Sequence, residues 1–129
     1  MKILSTNTVW TPEDLSTVTD IGLEQSLDLA EMTEKQVNRI WSAVEELYRT
    51  GNHPMISLCI RRRGSIVINR SIGHADGNGP EDSPNTPKKV AKANTPVCLF
   101  SATKLVTAML VHLFDQEGTI NLLDRKSVV

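Results

Sequence analysis

The sequence predicts an α+β protein, because a helical period, a strand period and a second helical run follow one another along the chain. The first helical period covers residues 34–50, the alternation typical of a β-hairpin covers residues 55–72, and a strongly apolar helix follows Ser101. The chain has 129 residues, enough for one modest domain, and its formal net charge is −1. With so even a balance of charge, the chain has no excess of basic residues that would indicate binding to nucleic acid or to an acidic membrane.

The first 32 residues are acidic and only weakly patterned. Thr11 and Pro12 have the form of a helix start, with a hydroxyl cap followed by proline at the first helical position. The residues that follow are too rich in Thr, Ser and Asp to predict more than a turn or two of helix. We therefore expect residues 1–32 to form an N-terminal arm that lies on another part of the structure.

The next element is an amphipathic helix with one apolar stripe. Thr33 and Gln36 have the spacing of a capping box, and Gly51 is a typical left-handed helix terminator. The apolar residues between them recur at spacings of three and four, which predicts a helix with one apolar face and one solvent-exposed face. These apolar residues are Val37, Ile40, Trp41, Val44, Leu47 and Tyr48.

After Pro54 the period of the pattern changes from 3.6 to 2. Ile56, Leu58 and Ile60 share one face of a predicted strand, and a second β-rich run covers residues 65–72 and ends at Gly73. The turn of an antiparallel hairpin is predicted at Arg62-Arg63-Gly64. The three arginines at its tip, residues 61–63, could form a phosphate site, but solvated side chains are favoured because no aromatic or Gly-rich cradle accompanies them. Residues 73–96 contain several Gly and Pro turn clusters and are predicted to be a long exposed loop.

The last element is a helix that starts near Ser101 and ends at Gly118. Apolar residues cover most of its circumference, which predicts a central, buried helix. Ser101 and Lys104 are three residues apart and share a face at its start. Two interpretations stay open from the residues alone: Ser101 is a helix cap beside a surface lysine, or it is a nucleophile beside a base. The second is favoured by a lysine at the end of the helix where a cation is unfavourable.

The order of these elements and the run Leu99–Ala108, with the Glu117-Gly118 turn, resemble the β-lactamase-related serine hydrolases. That family includes class C β-lactamases, D-alanyl-D-alanine carboxypeptidases and family VIII carboxylesterases. The resemblance covers residues 33–123 and implies the N-terminal portion of a β-lactamase/transpeptidase-like fold. It implies that Ser101 is the acylated nucleophile and that Lys104 is part of its general base. The reaction would hydrolyse a small ester or amide through an acyl-enzyme, without a cofactor or a metal ion.

The family also uses a Tyr-x-Asn-type motif and a Lys-Thr-Gly-type motif downstream of the Ser-x-x-Lys helix. Neither is present here, and the single tyrosine, Tyr48, lies in the first helix. We therefore expect an incomplete sheet and an inactive fragment. A DNA string that encodes the last six residues is part of a common sequencing adapter. From this we expect residues 124–129 to be a non-native tail and the gene to continue beyond Leu123.

Three functions follow as expectations. The first is a family VIII-type carboxylesterase in the cytoplasm, because the polar N-terminus lacks the apolar core of a secretory signal. The second is a β-lactamase or D-alanyl-D-alanine carboxypeptidase, which shares the chemistry but acts outside the cytoplasm. The third is a non-catalytic interaction module, for which the chain would have to fold stably alone. None of the three involves nucleic acid or a membrane span, and the oligomeric state is left open.

Overall fold

The computed structural model describes residues 9–124, which form two compact units that divide after Thr95. Residues 125–129 of the predicted tail and residues 1–8 of the predicted arm lie outside the described residues. The described part of the first unit contains a short 3₁₀ helix, Leu15–Val18, one α-helix and four strands: β1 (Thr19–Ile21), α1 (Glu34–Arg49), β2 (Met55–Arg62), β3 (Ser65–Asp76) and β4 (Lys89–Val90). The second unit contains α2 (Thr103–Gln116), preceded by a short 3₁₀ helix, Phe100–Ala102.

The predicted amphipathic helix is confirmed as α1. Its capping box is complete: the Gln36 N–H donates to Thr33 Oγ1 at 3.3 Å, and the Thr33 N–H donates to Gln36 Oε1 at 2.9 Å. Gly51 follows the helix with a φ of +70°, as expected for a left-handed terminator. Local sequence signals therefore set both ends of this element.

The predicted hairpin is also confirmed, and it forms the centre of an antiparallel sheet in which β3 lies between β1 and β2. The turn is shorter than predicted and consists of Arg63 and Gly64, which have φ angles of +52° and +83°. Two consecutive positive φ angles match the right-handed twist of the strands. The register pairs Ile56 with Ile72, which places apolar side chains opposite one another.

The core lies between α1 and one face of this sheet. It joins apolar residues from the arm, the helix and the central strand: Leu15, Val18, Val37, Trp41, Tyr48, Ile68 and Ile72. Ile56, Leu58 and Ile60, the three residues predicted to share a face of β2, pack against this cluster. The period-2 pattern therefore identified the buried face of the hairpin.

The described part of the arm is built into the first unit, and the predicted helix start at Thr11 is wrong. A 3₁₀ helix spans Leu15–Val18 instead, and it is capped by Asp14, whose Oδ1 accepts from the Ser16 N–H at 2.9 Å. β1 follows and pairs with β3. A three-residue strand is too short to leave an alternating pattern, so only pairing with β3 reveals it.

The prediction of one exposed loop over residues 73–96 is wrong at both ends. β3 does not end at Gly73; it continues to Asp76 and pairs there with β4. Gly73 has a φ of +103°, and a Cβ at this position would collide with the Pro54 carbonyl oxygen and the Tyr48 ring. The glycine therefore permits a close backbone approach inside the strand rather than ending it.

The prediction that the Ser-x-x-Lys helix is buried is wrong for this structure. Leu105 is 71% exposed and Met109 is 64% exposed, and no residue of α2 is fully buried. The physical reason is that residues 96–124 contain one helix and short turns, so this unit has no second layer to cover the apolar faces. No helix within the described part of the chain is long and apolar enough to cross a bilayer.

The predicted end of α2 at Gly118 is confirmed. Gly118 has a φ of +72°, and the Thr119 N–H donates to the Phe114 carbonyl at 2.9 Å. The Gly118 N–H donates to the Asp115 carbonyl at 3.0 Å. These two hydrogen bonds form a Schellman motif, which satisfies carbonyls that the helix itself leaves without partners. The sequence thus defines the last turn of the helix as well as its apolar character.

Residues 9–124 contain two α-helices and an incomplete antiparallel sheet of four strands. Helices and antiparallel strands that follow one another without βαβ crossovers define an α+β architecture. The predicted α+β class with an incomplete sheet is therefore confirmed.

Candidate active site

The candidate site lies where the 3₁₀ helix Phe100–Ala102 continues into α2. Ser101 is the middle residue of the 3₁₀ helix, and Lys104 is in the first turn of α2. Lys104 Nζ donates a hydrogen bond to Ser101 Oγ at 3.3 Å. This distance is at the long end of the hydrogen-bond range, as is common for catalytic pairs in unliganded sites. The structure therefore brings together the two residues that the sequence singled out.

The interpretation of Ser101 as a helix cap is not supported by the geometry. Ala102 occupies the N-cap position of α2, and no side chain caps either this helix or the 3₁₀ helix before it. A capping serine would accept from a backbone N–H two or three residues later, but the hydroxyl of Ser101 accepts from the lysine side chain. The serine hydroxyl is therefore available for chemistry rather than committed to the helix end.

The residue before the serine has an uncommon backbone conformation. Phe100 has a φ of +46° and is 83% exposed. For a bulky residue this left-handed conformation costs about 1–2 kcal/mol. Strain of this kind is concentrated at functional sites, where the surrounding chain holds it in place. Here it turns the backbone immediately before Ser101 and directs the chain into α2.

Ser101 and Lys104 are both exposed, although they lie at the start of a helix that the sequence predicts to be buried. The cause is again the single helical layer of residues 96–124, which leaves the first turn of α2 without a covering wall. No acidic residue lies in that first turn, and among the described residues Lys104 forms no ion pair. The partner of the lysine is thus the serine hydroxyl and not a carboxylate.

This arrangement has the parts needed for nucleophilic catalysis. An amine in contact with a hydroxyl can take its proton as the oxygen attacks a carbonyl carbon. Backbone N–H groups at the start of a helix are available to stabilise a developing oxyanion. Within residues 9–124 there is no group of three or more His, Cys, Asp or Glu side chains that could hold a metal ion.

Comparison with known proteins identifies the family. A family model described as Beta-lactamase matches residues 40–126, a segment that includes both site residues. The chain belongs to the Beta-lactamase family. No curated protein and no solved structure matches it. Membership in this family supports a serine hydrolase-like function in general terms, and it confirms the resemblance predicted from Leu99–Ala108.

The other polar groups noted in the sequence have structural partners. Arg62 Nε donates to the Ala30 carbonyl at 2.8 Å, and Arg63 pairs with Glu31, so the exposed hairpin tip holds the arm. Lys92 forms an ion pair with Asp20 at 2.9 Å. These contacts agree with the prediction that the arginines lie at the tip of the hairpin.

The first unit contains a buried polar cluster that was not predicted from the sequence. His74 and Asn78 are each 4% exposed, and Asn78 binds the backbone of Trp10. The signal available in the sequence was weak, because the two residues lie in a Gly- and Asn-rich segment that resembles an exposed loop. Only the fold shows that the arm covers them.

Proposed function

We propose that Ser101 and Lys104 are the nucleophile and base of a serine hydrolase whose substrates are small carboxylic esters, as in the family VIII carboxylesterases. The observation that carries the proposal is the hydrogen bond from Lys104 Nζ to Ser101 Oγ. The absence of a capping hydrogen bond from this serine supports the same role. Membership in the Beta-lactamase family supports the reaction class.

The proposed first step is acyl transfer to the serine. Ser101 Oγ attacks the carbonyl carbon of the ester and forms a new C–O bond as its proton passes to the lone pair of Lys104 Nζ. The bond to the leaving oxygen then breaks, the carbonyl is restored as the acyl-enzyme, and the leaving alkoxide or phenolate takes the proton from Lys104. Water attacks the acyl-enzyme and gives a proton to Lys104. The bond to Oγ breaks, the acid is released, and Oγ takes the proton back from Lys104.

The chemistry of the leaving group favours esters over amides. A phenolate or activated alkoxide can depart without first accepting a proton, but the amine of an amide cannot, so amide cleavage needs a well-placed general acid. In the Ser101–Lys104 pair, the proton donor is Lys104 after it has taken the serine proton. The pair is therefore better matched to an activated ester, whose leaving group needs no proton to depart.

Acylation can be tested directly on the 129-residue chain with a fluorophosphonate probe and peptide mapping by mass spectrometry. We expect the label on Ser101, and we expect it to disappear in Ser101→Ala. Lys104→Met, which keeps the length of the side chain without the amine, should reduce labelling about as strongly, because groups that act as one unit are not additive. Ser57 is also exposed, and Ser57→Ala is the matched control that should label like the wild type.

Two outcomes would contradict the assignment. One is labelling spread over Ser57 and other exposed serines at the same rate as Ser101. The other is unchanged labelling of Ser101 in Lys104→Met, which would remove the lysine from the mechanism.

The substrate class can be tested separately by intact-mass measurement of the acyl-enzyme. p-Nitrophenyl acetate should add an acetyl group to Ser101 faster than nitrocefin forms its adduct. An adduct with nitrocefin but not with the ester would favour a β-lactamase instead. Acylation is the informative step, because it depends directly on the contact between Ser101 and Lys104.

A further inference from the structure

Two buried polar side chains of the first unit connect the N-terminal arm to the end of β3. The Trp10 N–H donates to Asn78 Oδ1 at 3.2 Å, and Asn78 Nδ2 donates to the Trp10 carbonyl at 2.8 Å. The same amide nitrogen lies 3.2 Å from His74 Nδ1. His74 and Asn78 are each only 4% exposed, so water does not replace these partners.

The two backbone contacts with Trp10 define the orientation of the Asn78 amide. A flipped amide would place its NH₂ group against the Trp10 N–H and its oxygen against the Trp10 carbonyl, and both contacts would be repulsive. The NH₂ group must therefore face His74 Nδ1. Because an NH₂ group can only donate, Nδ1 must accept, and the imidazole is neutral with its proton on Nε2.

Protonation of His74 is incompatible with this arrangement. An imidazolium ring carries N–H groups on both nitrogens, so the Nδ1–H would point at the NH₂ group of Asn78. Two donors in contact within a buried site lose a hydrogen bond and leave both groups without a partner. Asn78 cannot rotate to accept from the ring without giving up both hydrogen bonds to Trp10.

The positive charge of Lys88 acts on the ring in the same direction as burial. Burial is the larger cause that lowers the pKa of His74 below its ordinary value of 6.5, and Lys88 is the second. Lys88 is held in place because its Nζ donates to the Pro84 and Thr86 carbonyls at 3.0 and 3.3 Å. Two carboxylates, Asp76 and Asp82, line the same cavity as His74 and oppose this effect, and Lys89 pairs with Asp76 across the β3–β4 ladder.

We propose that His74 and Asn78 form a pH-sensitive clasp that holds the Trp10 segment of the arm when the imidazole is neutral and releases it when the imidazole is protonated. Above pH 6.5 the ring is neutral in both the folded and the unfolded chain, so the clasp is fully formed. As the pH falls below 6.5, the unfolded or released state binds a proton that the closed clasp excludes. Acid therefore favours release, and the destabilisation of the closed state reaches its full size once the pH has fallen through the lowered pKa of that state.

The clasp can be tested by NMR on the 129-residue chain. At pH 8 the ¹⁵N chemical shifts of the His74 ring should show the neutral tautomer that carries its proton on Nε2 and none on Nδ1. On titration to pH 4.5 the Trp10 backbone amide should change with the same midpoint as His74, and this midpoint should lie below 6.5. A protonated Nδ1 at pH 8, or a Trp10 amide that does not follow His74, would overturn the proposal.

Two variants separate the clasp from a general loss of structure. In Asn78→Asp a carboxylate can accept from both the Trp10 N–H and a protonated His74. The pH midpoint of the His74 titration should therefore rise above 6.5, whereas in the wild type it should lie below 6.5. His74→Gln keeps an acceptor for Asn78 but cannot titrate, so the Trp10 amide should no longer respond between pH 8 and pH 5. His53 is exposed, and His53→Gln is the control that should leave the transition unchanged. A midpoint that falls in Asn78→Asp, or a transition that persists in His74→Gln, would exclude the clasp.

Discussion

The hydroxyl of Tyr48 offers the sharpest test of the packing of the first unit. The side chain of Tyr48 is fully buried, and its hydroxyl has no hydrogen-bond partner among the described residues. A buried hydroxyl without a partner costs about 1–3 kcal/mol relative to one in water. Tyr48→Phe removes that atom and keeps the ring, so it sacrifices only a few dispersion contacts of about 0.1–0.2 kcal/mol each. We expect the free energy of unfolding to rise by about 0.5–2 kcal/mol.

The measurement is urea unfolding followed by tryptophan fluorescence. Both tryptophans, Trp10 and Trp41, lie in the first unit, so the signal reports the unfolding of this unit. Ser71 provides a second case, because its buried hydroxyl also lacks a partner, and Ser71→Ala should be neutral or stabilising. Ser57 is its partner in the strand register but is exposed, so Ser57→Ala should change the stability by less than about 0.5 kcal/mol.

Alkaline pH gives an independent readout. Burial raises the pKa of Tyr48 above its ordinary value of 10.0, because the phenolate is disfavoured in the core. The unfolded chain therefore ionises first, and the stability that the neutral tyrosine contributes is lost as the pH rises above 10.0. The advantage of Tyr48→Phe over the wild type should widen above that pH. A Phe variant that is less stable than the wild type by more than about 0.5 kcal/mol would show that the hydroxyl has a partner and refute the reasoning.

Two further predictions concern the sheet. Glu24 accepts from Arg70 Nε at 2.7 Å and from Arg70 Nη2 at 2.9 Å, and these bonds hold the pKa of Glu24 below 4.5. Glu24→Gln should lower the unfolding free energy by about 1.5–3 kcal/mol at pH 7, and the difference should shrink as the pH falls below 4.5; an unchanged stability at pH 7 would contradict this. Gly73→Ala should lower the free energy of unfolding by about 2–5 kcal/mol, because the left-handed backbone is strained and the new Cβ collides with its neighbours. Gly64→Ala should lower it by only about 1 kcal/mol, because no atom lies within 4 Å of that Cβ. Equal losses in the urea assay would show that crowding at Gly73 does not add to the strain.

The elements that the sequence predicted well are those with local signals. α1 has a capping box at Thr33, an apolar stripe and a glycine terminator at Gly51, and each signal acts within about one turn of helix. The hairpin was predictable for the same reason, because alternation and a short turn bring neighbouring segments together. The Ser101–Lys104 contact also follows from local geometry, since residues three apart share a helix face.

The features that could not be predicted depend on distant partners. β1 exists only because it pairs with β3, and β3 continues beyond Gly73 only because β4 pairs with its end. His74 and Asn78 are buried because residues of the arm bind them, although their own segment is rich in turn residues. Neither strand pairing nor burial by a distant segment leaves a pattern in the sequence of the segment that is paired or buried.

The sequence by itself thus determined the helices, the hairpin and the family, together with the serine and lysine that carry the proposed chemistry. The apolar residues of α2 also showed that this helix is suited to burial. Such a pattern shows which residues favour burial, but it does not show which other segments cover them. The tertiary structure decided how much of each surface is covered. It left the first turn of α2 exposed and enclosed Tyr48 and His74, because burial depends on which other segments reach a residue.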